Sequence, residues 1–439
     1  MRKLGAISIS IAATLAFACG EDDGAAPVDA HPEAGPDGAM TVDGGDAIAP
    51  ASRVTVTTRA APLGAPTNAT WAAVDTGGGT FVPITASSPG RYTFDADGAW
   101  TIAIACAAPD NAQSTVAIHR RSAARALDVD LDPWCAPAPS MEVTLTGTIT
   151  NVSADTSWLD FGYALEGRGS AIVVNGTTAQ YELVNVGKGT WDVAFGVRDV
   201  FTAPFTKVLV RRGEVITADK TLVLDASQGV VPESKAFVLH DLDTCDTVDP
   251  AMRYTMGGAF GIDIGPQDVP RGALVSLKYV ALPAAVQAPD DRYRATISCR
   301  ANNDRIQRTT RIAMHDAVDI DVKLLPLVAD PVATAIATTP YRRIEVKGQR
   351  LPGMAGHEAL VRVQKGQRRD QRWSYSDDET SGDFAWTVPD LGSVAGFVSA
   401  WGVPVDATAE VTFTAVEAPT KLGDGTSIRT SAKTVRLDP

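Results

Sequence analysis

Histidine and cysteine are scarce in this chain: five of each are spread over 439 residues, and His31 lies in a segment with no apolar run. No Gly-x-Ser-x-Gly elbow, phosphate loop or dinucleotide fingerprint occurs, so the hydrolase and nucleotide-enzyme classes that announce themselves by motif are excluded. A triad assembled from distant Ser, His and Asp is defined by geometry and leaves no such mark. Cationic side chains are not clustered. Arg120-Arg121, Arg211-Arg212 and Arg368-Arg369 are isolated pairs, too few to neutralise a run of phosphates, which excludes nucleic acid as a partner. No stretch sustains a 3.6-residue apolar period, and no second apolar run approaches the length of a membrane helix. No cofactor is expected.

What is present begins at the N-terminus. Arg2 and Lys3 precede fifteen uncharged residues, Leu4 to Ala18, a pattern that fits a secretory leader over residues 1–18. Ala16-Phe17-Ala18-Cys19 closes it with small residues at the cleavage positions. This junction resembles the lipobox of bacterial lipoproteins, although Leu15 stands one place early and Phe17 is large for its position. It also satisfies the small-x-small rule of ordinary signal cleavage. Both readings cut before Cys19 and differ in whether its thiol carries lipid. Removing Cys19 leaves Cys106, Cys135, Cys245 and Cys299, an even set that suggests two disulfides in an exported chain. The resemblance implies a multiply acylated Cys19 as the membrane contact. Gly20 after it implies the outer membrane, on its periplasmic or cell-surface face.

Residues 19–52 hold eight acidic side chains and no Lys or Arg. Their Gly, Pro, Ala and Asp content cannot bury enough surface to offset the entropy of ordering, so a disordered, extended stalk is expected. With the formal net charge at −13, the leader positive by two and the stalk negative by eight, the remainder carries about −7.

The body reads as all-β. Val54-Thr55-Val56-Thr57, Leu127-Asp128-Val129-Asp130-Leu131, Val143-Thr144-Leu145-Thr146 and Val318-Asp319-Ile320-Asp321-Val322 alternate apolar and polar residues with period two, one face for a core and one for water. A repeat of aromatic strand, turn and second strand organises the body. It is seen in Tyr92-Thr93-Phe94 before Trp100, in Tyr181-Glu182-Leu183 before Trp191, around Tyr293, and in Phe384-Ala385-Trp386 before Phe397-Val398-Ser399-Ala400-Trp401. Each copy ends in a closing strand. Four tandem Ig-like or transthyretin-like β-sandwich modules follow, over 53–137, 138–230, 231–328 and 329–439. Trp100 precedes Cys106 by six positions and Tyr293 precedes Cys299 by six, so pairing within copies gives Cys106–Cys135 and Cys245–Cys299. Two other connectivities stay open at this stage.

In the second copy, Tyr181-x-Leu183, Val186, Gly189-x-Trp191-x-Val193, Val208-x-Val210, Gly213 and Leu222-x-Leu224 are similar to the carboxypeptidase-regulatory-like, transthyretin-like sandwich. That resemblance implies a non-catalytic module and no ligand.

Three clusters invite chemistry. His357-Glu358 opens a zincin-like motif, but Val361 stands where the second His belongs. Asp241, Asp243 and Asp246 form the densest acidic stretch and offer hard oxygens to Ca²⁺, against solvated turn residues as the plainer reading. Trp373 and Tyr375 alternate on one strand face with Asp377 beyond them, an arrangement suited to a sugar ring, against core packing as the plainer reading. The expected role is non-catalytic: binding, adhesion or scaffolding at the cell envelope, toward an envelope glycan or surface protein. The alternatives are a secreted hydrolase with its site at a module junction, or an accessory subunit of an envelope complex.

Overall fold

The structure is a computed structural model. It describes residues 52–60, 66–110, 113–123, 126–131, 135, 141–152, 158–162, 170–171, 173–175, 177–198, 205–242, 244–256, 261–265, 275–365, 369–422 and 424–439. The leader, Cys19 and the acidic segment after it lie outside the described residues.

Among the described residues the chain is all-β, with short 3-10 turns at Ala226–Gln228, Ala284–Val286 and Ser399–Trp401. Period-two burial explains the strands: in the strand Ala409–Glu417, Ala409, Val411, Phe413 and Ala415 are buried, while Glu410, Thr412 and Thr414 face away.

The strands fall into four groups, or units, by the apolar core they line. The first holds β1 (Ser52–Ala60), β2 (Trp71–Asp75), β3 (Val82–Pro83), β4 (Arg91–Ala96), β5 (Trp100–Ala107), β6 (Gln113–Arg121) and β7 (Leu127–Leu131). The second holds β8 (Met141–Thr150), β9 (Trp158–Gly162), β10 (Ser170–Ala171), β11 (Val173–Asn175), β12 (Thr178–Gly187), β13 (Gly189–Arg198), β14 (Lys207–Ile216) and β15 (Lys220–Asp225). The third holds β16 (Glu233–His240), β17 (Thr247–Thr255), β18 (Gly261–Asp263), β19 (Val275–Ala281), β20 (Arg292–Ala301), β21 (Ile306–Met314) and β22 (Ile320–Lys323). The fourth holds β23 (Val332–Ala337), β24 (Arg343–Gln349), β25 (Met354–Lys365), β26 (Arg369–Asp377), β27 (Asp383–Thr387), β28 (Ala409–Glu417), β29 (Thr420–Leu422) and β30 (Gly425–Leu437).

In each of the first three units the closing strand runs parallel to the first: β7 beside β1, β15 beside β8, β22 beside β16. The fourth departs from this plan. Its closing strand β30 is antiparallel to both β28 and β21. The aromatic segment Phe397–Trp401, expected as a strand, is instead a turn and a 3-10 segment, with Trp401 buried in the core.

Units adjacent in sequence are not always adjacent in space. One sheet runs β18-β17-β20-β21-β30-β28-β25-β26-β6-β5-β2-β3, so strands of the third, fourth and first units form a single hydrogen-bonded surface. The pairing of β26 with β6 is parallel and joins the fourth unit to the first. The second unit docks on the third differently. Ala194, Phe205 and Val208 enter the third unit's apolar core. Arg212 donates from β14 to Asp192 at 2.8 Å and to the fully buried Asp291 at 2.9 Å.

Both disulfides are present. Cys106–Cys135 spans 5.1 Å and Cys245–Cys299 spans 5.4 Å between Cα atoms, within the range that the bridge geometry tolerates.

Candidate functional site: a groove at the junction of the first and fourth units

The β6–β26 register sets the site. Trp373, Tyr375, Val116 and Ile118 turn to one side and join the fourth unit's core, together with Ala103 and Ala105 from β5. Alternation therefore turns His119 and Ser376 to the other side, where they stand opposite one another. His119 also opposes Ile102, which belongs to the first unit's core beneath β1, β4 and β7. The first unit thus caps the face of the shared sheet opposite to the one covered by β23, β24 and β27. Its β7 edge overhangs the neighbouring strands.

His119 Nδ1 lies 2.9 Å from Ser376 Oγ. Arg121 donates to Ser376 Oγ at 3.4 Å and to the Arg120 carbonyl at 2.7 Å. Burial, then the neighbouring Arg121 charge, hold the His119 pKa down to about 3. Which of His119 Nδ1 and the Ser376 hydroxyl donates follows the ring tautomer, since Oγ can accept from Arg121 in either case. His119 Nε2 is buried without a hydrogen-bond partner among the described residues. Ser376 is 2 % exposed. A nucleophilic serine needs access and a base able to take its proton near neutral pH; this pair has neither property and acts as a polar weld between two units.

A second buried network backs it. Arg350 clamps Asp377 with two bonds of 2.7 Å and reaches the Glu379 carbonyl at 2.8 Å. Its guanidinium lies over the Phe384 ring at 5.2 Å. His357 stacks on Phe413 with centroids 5.7 Å apart, and its Nε2 accepts from the Leu351 N–H at 3.2 Å. Burial and the Arg350 charge lower the His357 pKa. The ring is thus a satisfied core group, which answers the zincin-like start of its segment. Gly356 lets β25 approach closely, since a Cβ there would meet the Asp377 carbonyl oxygen at 2.4 Å.

On the outer side of this layer lies a groove of about 340 Å³, a volume suited to a small ligand or one side chain. Arg121, Asp128, Glu358, Asp378, Glu417 and Ile428 are among its lining residues. Glu358 sits half-buried on the floor, in register with Ser376 and Thr414. Burial pushes its pKa up to about 7, against the pull of Arg311 and Arg121.

The expected sites fare differently. Trp373 is fully buried, tilted against Tyr341 at 5.5 Å, with Nε1 donating to the Trp401 carbonyl at 2.8 Å. Tyr375 stacks on Trp386 at 5.3 Å, and Asp377 is held by Arg350. No ring face is open to a sugar, so the carbohydrate candidate is corrected to core. Asp246 accepts from the Asn302 N–H at 2.7 Å, and the Asp241 carbonyl accepts from Arg308 at 2.8 Å. Asp243 lies outside the described residues. Among the described residues no three His, Cys, Asp or Glu side chains gather to hold a metal ion. Sequence reasoning named Glu358 and Arg121 but did not bring them into one groove, and it missed the Ser376–His119 contact. The pairing of segments some 257 positions apart leaves no local signal.

No family model matches this chain. No curated protein matches it. Among solved structures, the TIE protein of Bacillus anthracis is similar at 9 % identity and a TM-score of 0.15, over 62 % of this chain and 50 % of that one. This chain therefore spans half the length of that protein. The major pilin subunit of Bacillus cereus is similar at 8 % identity and a TM-score of 0.13, over 88 % of this chain and 95 % of that one.

Proposed function

We propose that this chain is an exported, membrane-tethered binding and scaffolding protein of the bacterial cell envelope. The observation that carries the reading is the continuous sheet through the third, fourth and first units. Hydrogen bonding across unit borders gives a rigid platform, the property a scaffold or adhesive surface needs. Two disulfides support maturation outside a reducing cytoplasm. The basic leader and Cys19 support a lipid anchor, with the acidic segment as a spacer between bilayer and platform. The four units serve as modules of one platform, the second of carboxypeptidase-regulatory-like type. The partner is an envelope glycan or a surface protein at the outer membrane.

The test is a mass spectrum of the mature N-terminus together with Cys19→Ser. An acylated Cys19, and release of the variant from membranes, supports the tether; an unmodified Cys19 overturns it. Pulldown of envelope fractions with the full chain tests binding, and capture of neither glycan nor protein overturns that part. Labelling of Ser376 by a serine-hydrolase probe would replace the scaffolding role with catalysis. Crosslinking in cells to one stoichiometric envelope protein would favour the accessory-subunit reading.

A further inference from the structure

The Cys245–Cys299 bridge has an arginine set against it. Cys299 in β20 stands directly opposite Arg308 in β21, and Arg308 is 4 % exposed. One guanidinium nitrogen, Nη2, lies 3.5 Å from Cys245 Sγ and 3.5 Å from Cys299 Sγ. The same nitrogen donates to the Asp241 carbonyl at 2.8 Å and to the Thr244 hydroxyl. The segment that carries Cys245 thus holds the guanidinium against both sulfurs. The Cys106–Cys135 bridge has different surroundings. Cys135 Sγ lies 3.6 Å from the Thr70 hydroxyl and 3.8 Å from the Ala105 carbonyl, neither of them cationic.

The two sulfurs differ in access. Cys299 is fully buried. Cys245 is only partly buried, and its chain neighbours Thr244, Asp246 and Thr247 are exposed. An incoming thiolate can therefore reach Cys245 and not Cys299. Attack on Cys245 Sγ breaks the S–S bond and sends its electron pair to Cys299, which leaves as a thiolate. Forming a thiolate in an apolar core is ordinarily costly. A guanidinium beside the thiol lowers its pKa, and a leaving group of lower pKa departs faster. Opening the bridge leaves the backbone anchored. The Cys245 N–H donates to the Leu242 carbonyl at 3.0 Å and the Asp246 N–H to the Arg300 carbonyl at 2.8 Å. The Asn302 N–H donates to the Asp246 carboxylate at 2.7 Å. Cys245 stays beside Cys299, so the freed thiolate can attack it again and expel the added thiol.

We propose that Cys245–Cys299 is a thiol-exchange site, at which a small external thiol forms a mixed disulfide on Cys245 and releases Cys299 as a thiolate beside Arg308. One S–S bond breaks and one forms, and one thiolate enters as another is released. The step therefore needs no oxidant or reductant beyond the thiol itself.

Reduced glutathione is the probe. The oxidised full chain is incubated with it, quenched in acid, alkylated in denaturant and mapped by mass spectrometry over a time course. In the wild type, Cys245–Cys299 should open before Cys106–Cys135, with glutathione on Cys245 and the alkylating reagent on Cys299. Arg308→Gln should slow that opening by roughly fivefold or more, since the leaving thiolate loses its cation. A destabilised variant would expose the bridge and open faster, so slowing cannot come from misfolding. Glutathione on Cys299, or earlier opening of Cys106–Cys135 in the wild type, overturns the proposal without recourse to any variant. A rate in Arg308→Gln equal to or above that of the wild type overturns it as well.

Discussion

Ser376 Oγ lies 2.9 Å from His119 Nδ1, although 257 positions separate them in the chain. The contact forms because β6 lies parallel to β26, and it closes a polar layer between two apolar cores. Replacing Ser376 with Ala leaves the buried His119 nitrogen without its hydroxyl partner and removes one acceptor of Arg121. The expected loss is about 1–3 kcal/mol, the range for a buried group left unsatisfied. His119→Leu with Ser376→Ala, which removes both partners of the bond, should lose less than the sum of the single changes. Urea unfolding of the four proteins in the cycle checks this, and strict additivity would contradict the weld.

The pH dependence of stability has opposing parts. His119 has a folded pKa near 3 against an ordinary 6.5, so the unfolded state binds more protons and stability rises with pH across that interval. His357 is shifted in the same direction. Glu358 is shifted the other way, from 4.5 to about 7. Its folded form holds the proton more tightly, so its contribution is full below pH 4.5 and is lost as pH climbs through 7. Glu358→Gln removes that loss. Its melting temperature relative to wild type should therefore increase between pH 4.5 and 7 and level off above. A difference that stays flat with pH would contradict the assignment.

Arg350 and Asp377 are almost wholly buried, at 4 % and 2 % side-chain exposure. Arg350→Met strands a carboxylate in the core and should cost about 3–5 kcal/mol. Arg350→Met combined with Asp377→Leu removes both charges and should recover much of that loss. Chemical denaturation of single and double variants measures it.

Period-two alternation was legible, and so was the disulfide pairing, since both depend on residues close in sequence or on repeat phase. Val54 and Val56 are buried and Thr55 is not; a local pattern suffices for that. The aromatic alternation of Trp373 and Tyr375 marked a face correctly but not what covers it. The cover is supplied by Tyr341, Phe397 and Trp386; Phe397 lies in the turn before Ser399–Trp401, and Trp386 is set by the pairing of β27 with β24. The groove was invisible because β6 and β26 meet only in the folded chain, and parallel pairing across such a separation follows from no local propensity. Glu358 looked like half of a metal motif; its actual setting is decided by the overhang of β7.

The two disulfides close loops of different length, 29 and 54 residues apart in sequence. Each should stabilise by about 2–4 kcal/mol, and the entropy of loop closure makes the longer one worth about 0.5 kcal/mol more. Cys299 is fully buried in the third unit's core. Paired Ser substitutions also place two hydroxyls in that core, so Cys245→Ala with Cys299→Ala is the cleaner variant. Its melting temperature should fall further than that of Cys106→Ala with Cys135→Ala. An equal or reversed order would mean that loop length does not govern the difference.

The joint between the second and third units should behave as a fixed one. Arg212 reaches from β14 to Asp291, which has no side-chain exposure and also accepts from the Tyr254 hydroxyl and from the Ala288 N–H at 2.8 Å. Both hydrogen bonds and the guanidinium hold the Asp291 carboxyl below its ordinary pKa against the effect of burial. Arg212→Ala leaves that carboxylate buried with neutral donors alone, at a cost of about 3–5 kcal/mol. Because Ala194, Phe205 and Val208 share the third unit's core, the loss should not be confined to one unit. A single cooperative thermal transition should shift downward as a whole. Splitting into two transitions, with the lower one alone moved, would show instead that the second unit is free to unfold by itself.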